Sequence, residues 1–204
     1  MPMLINDQDT ERRMIARRRR LGLDKFDEVW NGVYVMSPMA NDEHQDVVSL
    51  LNTLLCQVIQ LSGQGKVRPG VNVSNRRVDW KKNYRCPDVA VFLNGTTAEN
   101  RGAYWLGGPD LAIEVTSPKE RLSKKRKFYA KVGTRELLVV NREPWSLELY
   151  RLANGELTLV NQTTVASGVW LDSEVVPLAF RLIDGVERPR IEVRHADGTQ
   201  TWFA

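Results

Sequence analysis

Between Val47 and Ile59 apolar residues recur at spacings of three and four, through Leu50, Leu51, Leu54, Leu55 and Val58. That period predicts a helix with one broad buried face. Asp42-x-x-Gln45 resembles a capping box at its start, and Ser62-Gly63 ends it. Beyond Gly63 the period changes to two. Strands are predicted near 67–74, 77–80 and 88–93, with Asn94-Gly95 as a turn. Residues 96–108 read as a loop that Trp105 can anchor. Leu111 to Thr116 is apolar at nearly every position around Glu114, the pattern of an interior strand covered on both faces. Ser117-Pro118 breaks that strand, Lys119 to Val132 reads as a helix, and Gly133 suits its C-terminal cap. Glu136 to Asn141 is a second buried strand. Asn31-Gly32 within residues 28–36 and Asn154-Gly155 between 145–151 and 156–160 each predict a hairpin. Short strand signals continue through Val175–Ala204, the last after Asp197-Gly198.

Strand, helix and strand from Leu111 to Asn141 form a crossover unit, which places two parallel strands in a mixed sheet. The expected class is α/β, or α+β by a stricter count: a mixed central sheet flanked by helices, with extra hairpins at both ends. No repeat or linker divides the chain, so a single domain over 1–204 is expected. Residues 1–25 would be a basic arm, helical from Glu11 to Arg20, and 181–204 a C-terminal β extension.

Composition adds bounds. The 204 residues are 42% hydrophobic and 26% charged, ordinary for a soluble globular domain. No apolar run approaches the roughly 20 residues that span a bilayer, and the N-terminus lacks a signal peptide's apolar stretch. A cytoplasmic chain with no membrane partner is expected. Cys56 and Cys86 are too few for a zinc cluster or a disulfide framework. Cys86 reads as a packed residue, with a reactive thiol as the alternative. The net charge of +4 is concentrated. Arg12, Arg13, Arg17, Arg18, Arg19 and Arg20 form one block; Lys119, Arg121, Lys124, Lys125, Arg126, Lys127 and Lys131 form another. Each block is either a solvated helix face or a contact for nucleic acid.

The second block adjoins the chemistry. A glutamate inside a buried apolar strand is costly unless it is paired, hydrogen-bonded or bound to a cation. Asp88 follows Pro87 at the start of a neighbouring strand, and two carboxylates at one point repel each other unless a cation lies between them. Two acids with a lysine beside them suit metal-assisted phosphodiester cleavage. The plainer alternatives are an ion pair between Glu114 and a helix lysine, and a turn role for Asp88. Asp110 also follows a proline, but along one strand it lies about 13 Å from Glu114, too far to share a metal. Thr116 occupies the position two beyond Glu114, so an ammonium must come from the helix. Lys125 and Tyr129 are four apart and share a face; Lys124 and Lys127 remain open. His44, beside Glu43 in the first turn of the long helix, reads as a capping or packed residue, with an accessory role as the alternative.

Three strings carry a resemblance: Pro87-Asp88-Val-Ala-Val-Phe, then Pro109-Asp-Leu-Ala-Ile-Glu114-Val-Thr-Ser117-Pro118, then Lys125-Arg-Lys-Phe-Tyr129-Ala-Lys-Val-Gly133-Thr-Arg-Glu136. Together with Glu28-Val-Trp-Asn-Gly32-Val-Tyr-Val-Met36-Ser-Pro38 and His44 beyond it, they resemble the Uma2 (Uma-two) family, a bacterial group of restriction-endonuclease-like proteins in the PD-(D/E)XK nuclease superfamily. The likeness runs from about residue 21 to 180. It implies a restriction-endonuclease-like fold, Asp88 and Glu114 as ligands of Mg²⁺ or Mn²⁺, and a catalytic lysine moved from the strand to the helix, at Lys125. His44, Thr116, Lys127 and Tyr129 are the accessory candidates. Three departures stand out: the loop between Ser117-Pro118 and Lys125 is shorter than usual, Leu122 and Ser123 occupy the region where an aspartate often precedes that lysine, and Asn141 stands where aspartate is usual. The expectation is a metal-dependent DNA endonuclease, with Arg17 to Arg20 and Lys124 on DNA, a homodimer as its assembly and no small-molecule cofactor. A module of another class, inactive but still binding nucleic acid or self-associating, is the alternative.

Overall fold

The computed structural model describes residues 7–116 and 122–204. Helix α1 (Gln8–Arg20) begins at Asp7, whose carboxylate accepts the Thr10 N–H at 2.9 Å, and ends in four arginines that suit the negative end of its dipole. Strands β1 (Glu28–Trp30) and β2 (Val33–Val35) turn through Asn31 and Gly32, both at positive φ, as the sequence predicts. Helix α2 (Asp42–Leu55) runs on as a π-helical turn over Cys56–Gln60. Its cap is Asn41, which accepts the His44 N–H at 3.1 Å, and not the predicted Asp42. Leu50, expected on the buried face, is exposed; Val47, Leu51, Leu54 and Leu55 carry the packing.

Strands β3 (Gly65–Pro69) and β4 (Val73–Ser74) replace the single strand expected at 67–74, because Gly70 turns the chain at φ 58°. No strand forms at 77–80. Val78 is solvent-exposed, so the segment has no apolar face to bury; Asp79 adopts φ 55°, and a 3₁₀ turn follows at Trp80–Lys82. Next come β5 (Tyr84–Arg85), β6 (Val89–Leu93), β7 (Glu99–Asn100), β8 (Trp105–Leu106) and β9 (Leu111–Thr116). Trp105 does anchor its loop, stacking on Phe92 with ring centroids 3.7 Å apart. Helix α3 (Leu122–Lys131) follows, capped by Gly133 at φ 83°; the predicted breaker Ser117-Pro118 and the expected first turn at Lys119 lie outside the described residues. Strands β10 (Glu136–Arg142), β11 (Trp145–Ala153), β12 (Glu156–Thr163), β13 (Leu171–Asp172), β14 (Leu178–Ile183), β15 (Arg190–His195) and β16 (Thr201–Phe203) complete the chain.

The central sheet has the order β12-β11-β10-β9-β6-β3, with β9 and β10 parallel and the other pairs antiparallel. The class is therefore the expected mixed α+β. Alternation along β9 decides what each face meets. Leu111, Ile113 and Val115 join the cluster built on α2, whereas Ala112 points to the cluster of Phe128 and Tyr129 on α3. Glu114 falls on this second face. Phe128 and Tyr129 bring α3 over it, and burial of side chains that large contributes about 2–3 kcal/mol each. A second sheet, β2-β1-β5-β4-β8-β7, carries Glu28 and Arg85. A third, β13-β14-β15-β16, shares the α2-side core through Leu178, Phe180 and Val193, and the expected extension boundary at 181 falls within β14.

Candidate active site

Glu114 is 1% exposed and both of its oxygens are engaged. Oε2 accepts the Lys125 ammonium at 2.7 Å, and Oε1 accepts the Tyr129 hydroxyl at 2.5 Å. The four-residue spacing of Lys125 and Tyr129 puts both on the α3 face that meets β9. Burial, reinforced by the charges of Glu114 and Glu28, holds the Tyr129 phenol far above the ordinary tyrosine range, so it serves as a donor. Lys124 and Lys127 lie on the exposed side of the same helix.

Asp88 stands just before β6. The pairing of Val89 with Ile113 brings it to the end of β9 beside Glu114. Its Oδ2 accepts the Val115 N–H at 2.7 Å, and its Oδ1 lies 3.2 Å from Nε2 of His44. His44 thus does more than open α2: the first turn aims its ring at the acid. Thr116 donates its hydroxyl to Oδ1 of Asn141 at 2.7 Å, tying β9 to β10 beside the site. Asp110 is an anchor elsewhere, accepting the Leu93 N–H at 2.9 Å and facing Arg135 at 3.4 Å.

One further acid belongs to the group. Glu28 is buried; its Oε1 accepts the Cys86 N–H at 2.9 Å and lies 3.8 Å from the Lys125 nitrogen, while its Oε2 accepts the Trp30 indole N–H at 2.5 Å. The signal was in the alternation. Glu28 and Trp30 share a strand face, and a tryptophan that packs takes its glutamate inside with it. Behind them the Arg85 guanidinium is sandwiched between Trp30 and Phe128, 4.5 and 4.3 Å from the ring centres. Cys86 sits among these charges. Its thiol is pushed up, first by burial and then by Glu28, Glu114 and Asp88, with Lys125 opposing. It is the packed residue of the two readings, not a reactive thiolate.

The donor types suit a hard divalent cation: carboxylate oxygens from two neighbouring strands, with one imidazole beside them. Among the described residues, no three acidic, histidine or cysteine side chains converge at metal-binding distance. Instead the Lys125 ammonium neutralises Glu114. Asp88 and Glu114 thus suit a cation in the kind of donor they offer.

The basic arm divides. Arg18 is a structural tie: its Nε and Nη2 each bond Asp27 at 2.6 Å, and Nη2 also bonds the Ser37 carbonyl at 3.0 Å. Arg17, Arg19 and Arg20 face solvent, Arg19 with Asp24 at 3.9 Å. A cavity of about 340 Å³ opens beside Arg19, Lys25, Tyr34, Trp80, Lys81 and Tyr84, on the strands that carry Glu28 and Arg85. No helix among the described residues is long and apolar enough to cross a membrane.

Comparison with known proteins gives a fold and a family. The crystal structure of a "putative nuclease belonging to DUF820" from Anabaena variabilis superposes with a TM-score of 0.53 at 18% identity, covering 65% of this chain and 75% of that one, a likeness of fold. No curated protein matches. Residues 23–183, most of the sequence, match the family described as "Uma2: Putative restriction endonuclease". The chain belongs to the Uma2 family.

Proposed function

We propose that this protein is a metal-dependent DNA endonuclease that hydrolyses phosphodiester bonds. Family membership and a nuclease-type fold support nuclease function in general. The observation that carries the finer reading is the buried Glu114–Lys125–Tyr129 cluster with Asp88 fixed on the next backbone N–H of the same strand. Asp88 and Glu114 would hold Mg²⁺ or Mn²⁺, which when bound polarises a scissile phosphate and lowers the pKa of an attacking water. Lys125 would stabilise negative charge on the phosphoryl oxygens. Tyr129 fixes the Glu114 rotamer, and His44 and the Val115 N–H fix Asp88, so neither carboxylate has to be ordered during the reaction. Arg17, Arg19, Arg20 and Lys124 would contact backbone phosphates, and binding would then weaken steeply with salt. A cytoplasmic homodimer joined through the tail strands completes the reading, and sedimentation tests the assembly.

Nicking of supercoiled plasmid in Mg²⁺ or Mn²⁺ by the wild type, lost in Asp88→Ala and Glu114→Ala, is the expected result. The engagement of both Glu114 oxygens favours a second reading, a nucleic-acid-binding module without activity. Salt-dependent DNA binding that survives both substitutions, with no cleavage of single- or double-stranded DNA in either metal, would decide for that module.

A further inference from the structure

We propose that Glu28 is the positioning residue for Lys125 and gives its ammonium a second seat, used when Glu114 takes a divalent cation. The proposal rests on the metal-dependent reading of Asp88 and Glu114. The Lys125 nitrogen lies 2.7 Å from Glu114 Oε2 and 3.8 Å from Glu28 Oε1. Moving from one to the other needs a displacement of about 1 Å, well within the reach of a flexible four-carbon stem. Glu28 cannot make the complementary move. The Cys86 N–H and the Trp30 indole N–H hold one oxygen each. Trp30 is itself clamped by Arg85, whose Nη1 bonds the carbonyls of Val29 at 3.1 Å and Tyr84 at 3.0 Å. The fixed Oε1 still has capacity, because a carboxylate oxygen accepts two hydrogen bonds.

The reason for a second seat is electrostatic. A cation on Glu114 would repel an ammonium sharing the same oxygen, and in a site this dry the repulsion is poorly screened. Lys125 is only 7% exposed, so most of its side chain is away from water. A fixed carboxylate within 4 Å lets it keep a partner while releasing Oε2. Without Glu28 the ammonium would lose this second carboxylate and compete with the cation for Glu114.

Crystals of the wild type grown with MnCl₂ give the direct test. The expected structure has Mn²⁺ on Glu114 and the Lys125 nitrogen nearer to Glu28 Oε1 than to Glu114 Oε2. Mn²⁺ on Glu114 with Lys125 still on Oε2 overturns the proposal. Calorimetry supplies a second test. Glu28→Gln is expected to weaken Mn²⁺ binding by about tenfold or more, the scale of a lost residue behind a ligand, whereas in a Lys125→Met background the same change has no effect because no ammonium competes. Equal weakening in both backgrounds would mean that Glu28 does not act through Lys125, and it sinks the proposal. If Lys125→Met does not fold, judged by circular dichroism, the crystallographic distances decide alone. Absence of Mn²⁺ binding by the wild type and by Lys125→Met removes the metal reading and the proposal with it. Binding without the coupling removes the proposal alone.

Discussion

Glu114 and Glu136 lie on adjacent parallel strands, are 1% and 0% exposed, and differ in the kind of partner each has. Glu136 is held by a guanidinium, a backbone N–H and a hydroxyl. Its Oε1 meets the Arg151 Nε at 2.9 Å and Nη2 at 2.8 Å and accepts the Glu174 N–H at 3.0 Å, while its Oε2 accepts the Ser173 hydroxyl at 2.5 Å. Arg151 goes on to Glu174 at 2.7 Å and the Asp172 carbonyl at 3.2 Å, so this carboxylate fastens β11 and the 172–174 segment to β10. Glu114 accepts an ammonium on a flexible stem and a phenol. A planar guanidinium with a backbone N–H makes a permanent joint; an ammonium with another carboxylate nearby makes one that can be exchanged. Two glutamates in similar apolar strands thus have partners of different kinds, and the difference lies in what covers them.

The largest expected effect tests the permanent joint. Glu136→Ala leaves the Ser173 hydroxyl, the Glu174 N–H and the Arg151 Nε–H without their buried acceptor and should lower stability by about 3–5 kcal/mol. Glu114→Gln should lower it by only about 1–2 kcal/mol, the scale of a lost charge-assisted hydrogen bond, because Lys125 keeps Glu28. Urea unfolding of both variants measures the contrast, and equal losses would erase it. Activity should invert the order. Glu114→Gln is expected to reduce plasmid cleavage by more than about a hundredfold, about 2.7 kcal/mol of barrier, whereas Glu136→Ala should retain near wild-type cleavage per folded molecule. Loss of activity without unfolding in the Glu136 variant would show that the two sites are coupled.

How much of this was legible depends on whether the signal was local. The burial of Glu114 in a strand and the helix face shared by Lys125 and Tyr129 were readable because an apolar run and four-residue helical spacing each need only a few neighbouring positions, whereas spacing alone left Lys124 and Lys127 open beside Lys125. Both hairpin turns were readable for the same reason: Asn-Gly supplies the positive φ pair that a two-residue turn demands. The burial of Glu28 was in the alternation of its strand, but its place in the site was missed because its partners, the Cys86 N–H 58 positions away and Lys125 further on, are distant in sequence. The same limit hid the function of Arg18. A run of four arginines reads as one charged face, yet Arg18 alone is turned inward to Asp27. The strand expected at 77–80 failed because Val78 had nothing to pack against, and a two-residue period cannot report that.

Asn141 sharpens the contrast at a smaller scale. Its Oδ1 accepts from Thr116, while its Nδ2 donates to Ser146 Oγ and Glu148 Oε1, both at 3.1 Å. An aspartate here would lose both donated bonds and face the Glu148 carboxylate. Asn141→Asp should therefore cost about 1–3 kcal/mol at pH 7, measured by thermal unfolding. No loss would mean that the strand tie beside Glu114 is as exchangeable as the lysine above it.

The smallest effect separates the two glutamates by pH. Tyr129, the phenol on Glu114, is raised above its ordinary pKa by burial and by the carboxylates near it. For an acid raised in the folded state, the native contribution is complete below the unfolded pKa near pH 10 and is lost as pH rises beyond it, since only the unfolded chain then releases the proton. The loss from Tyr129 is up to about 1.4 kcal/mol per pH unit. Tyr84, pushed up to about 12 chiefly by burial, adds to it in the same direction. Stability followed by urea between pH 9 and pH 11 should decline in the wild type and decline less steeply in Tyr129→Phe. Ser173→Ala, which removes the hydroxyl on Glu136, should keep the wild-type slope because that joint contains no tyrosine. A Ser173→Ala slope as shallow as that of Tyr129→Phe would show that the alkaline loss does not arise at Glu114.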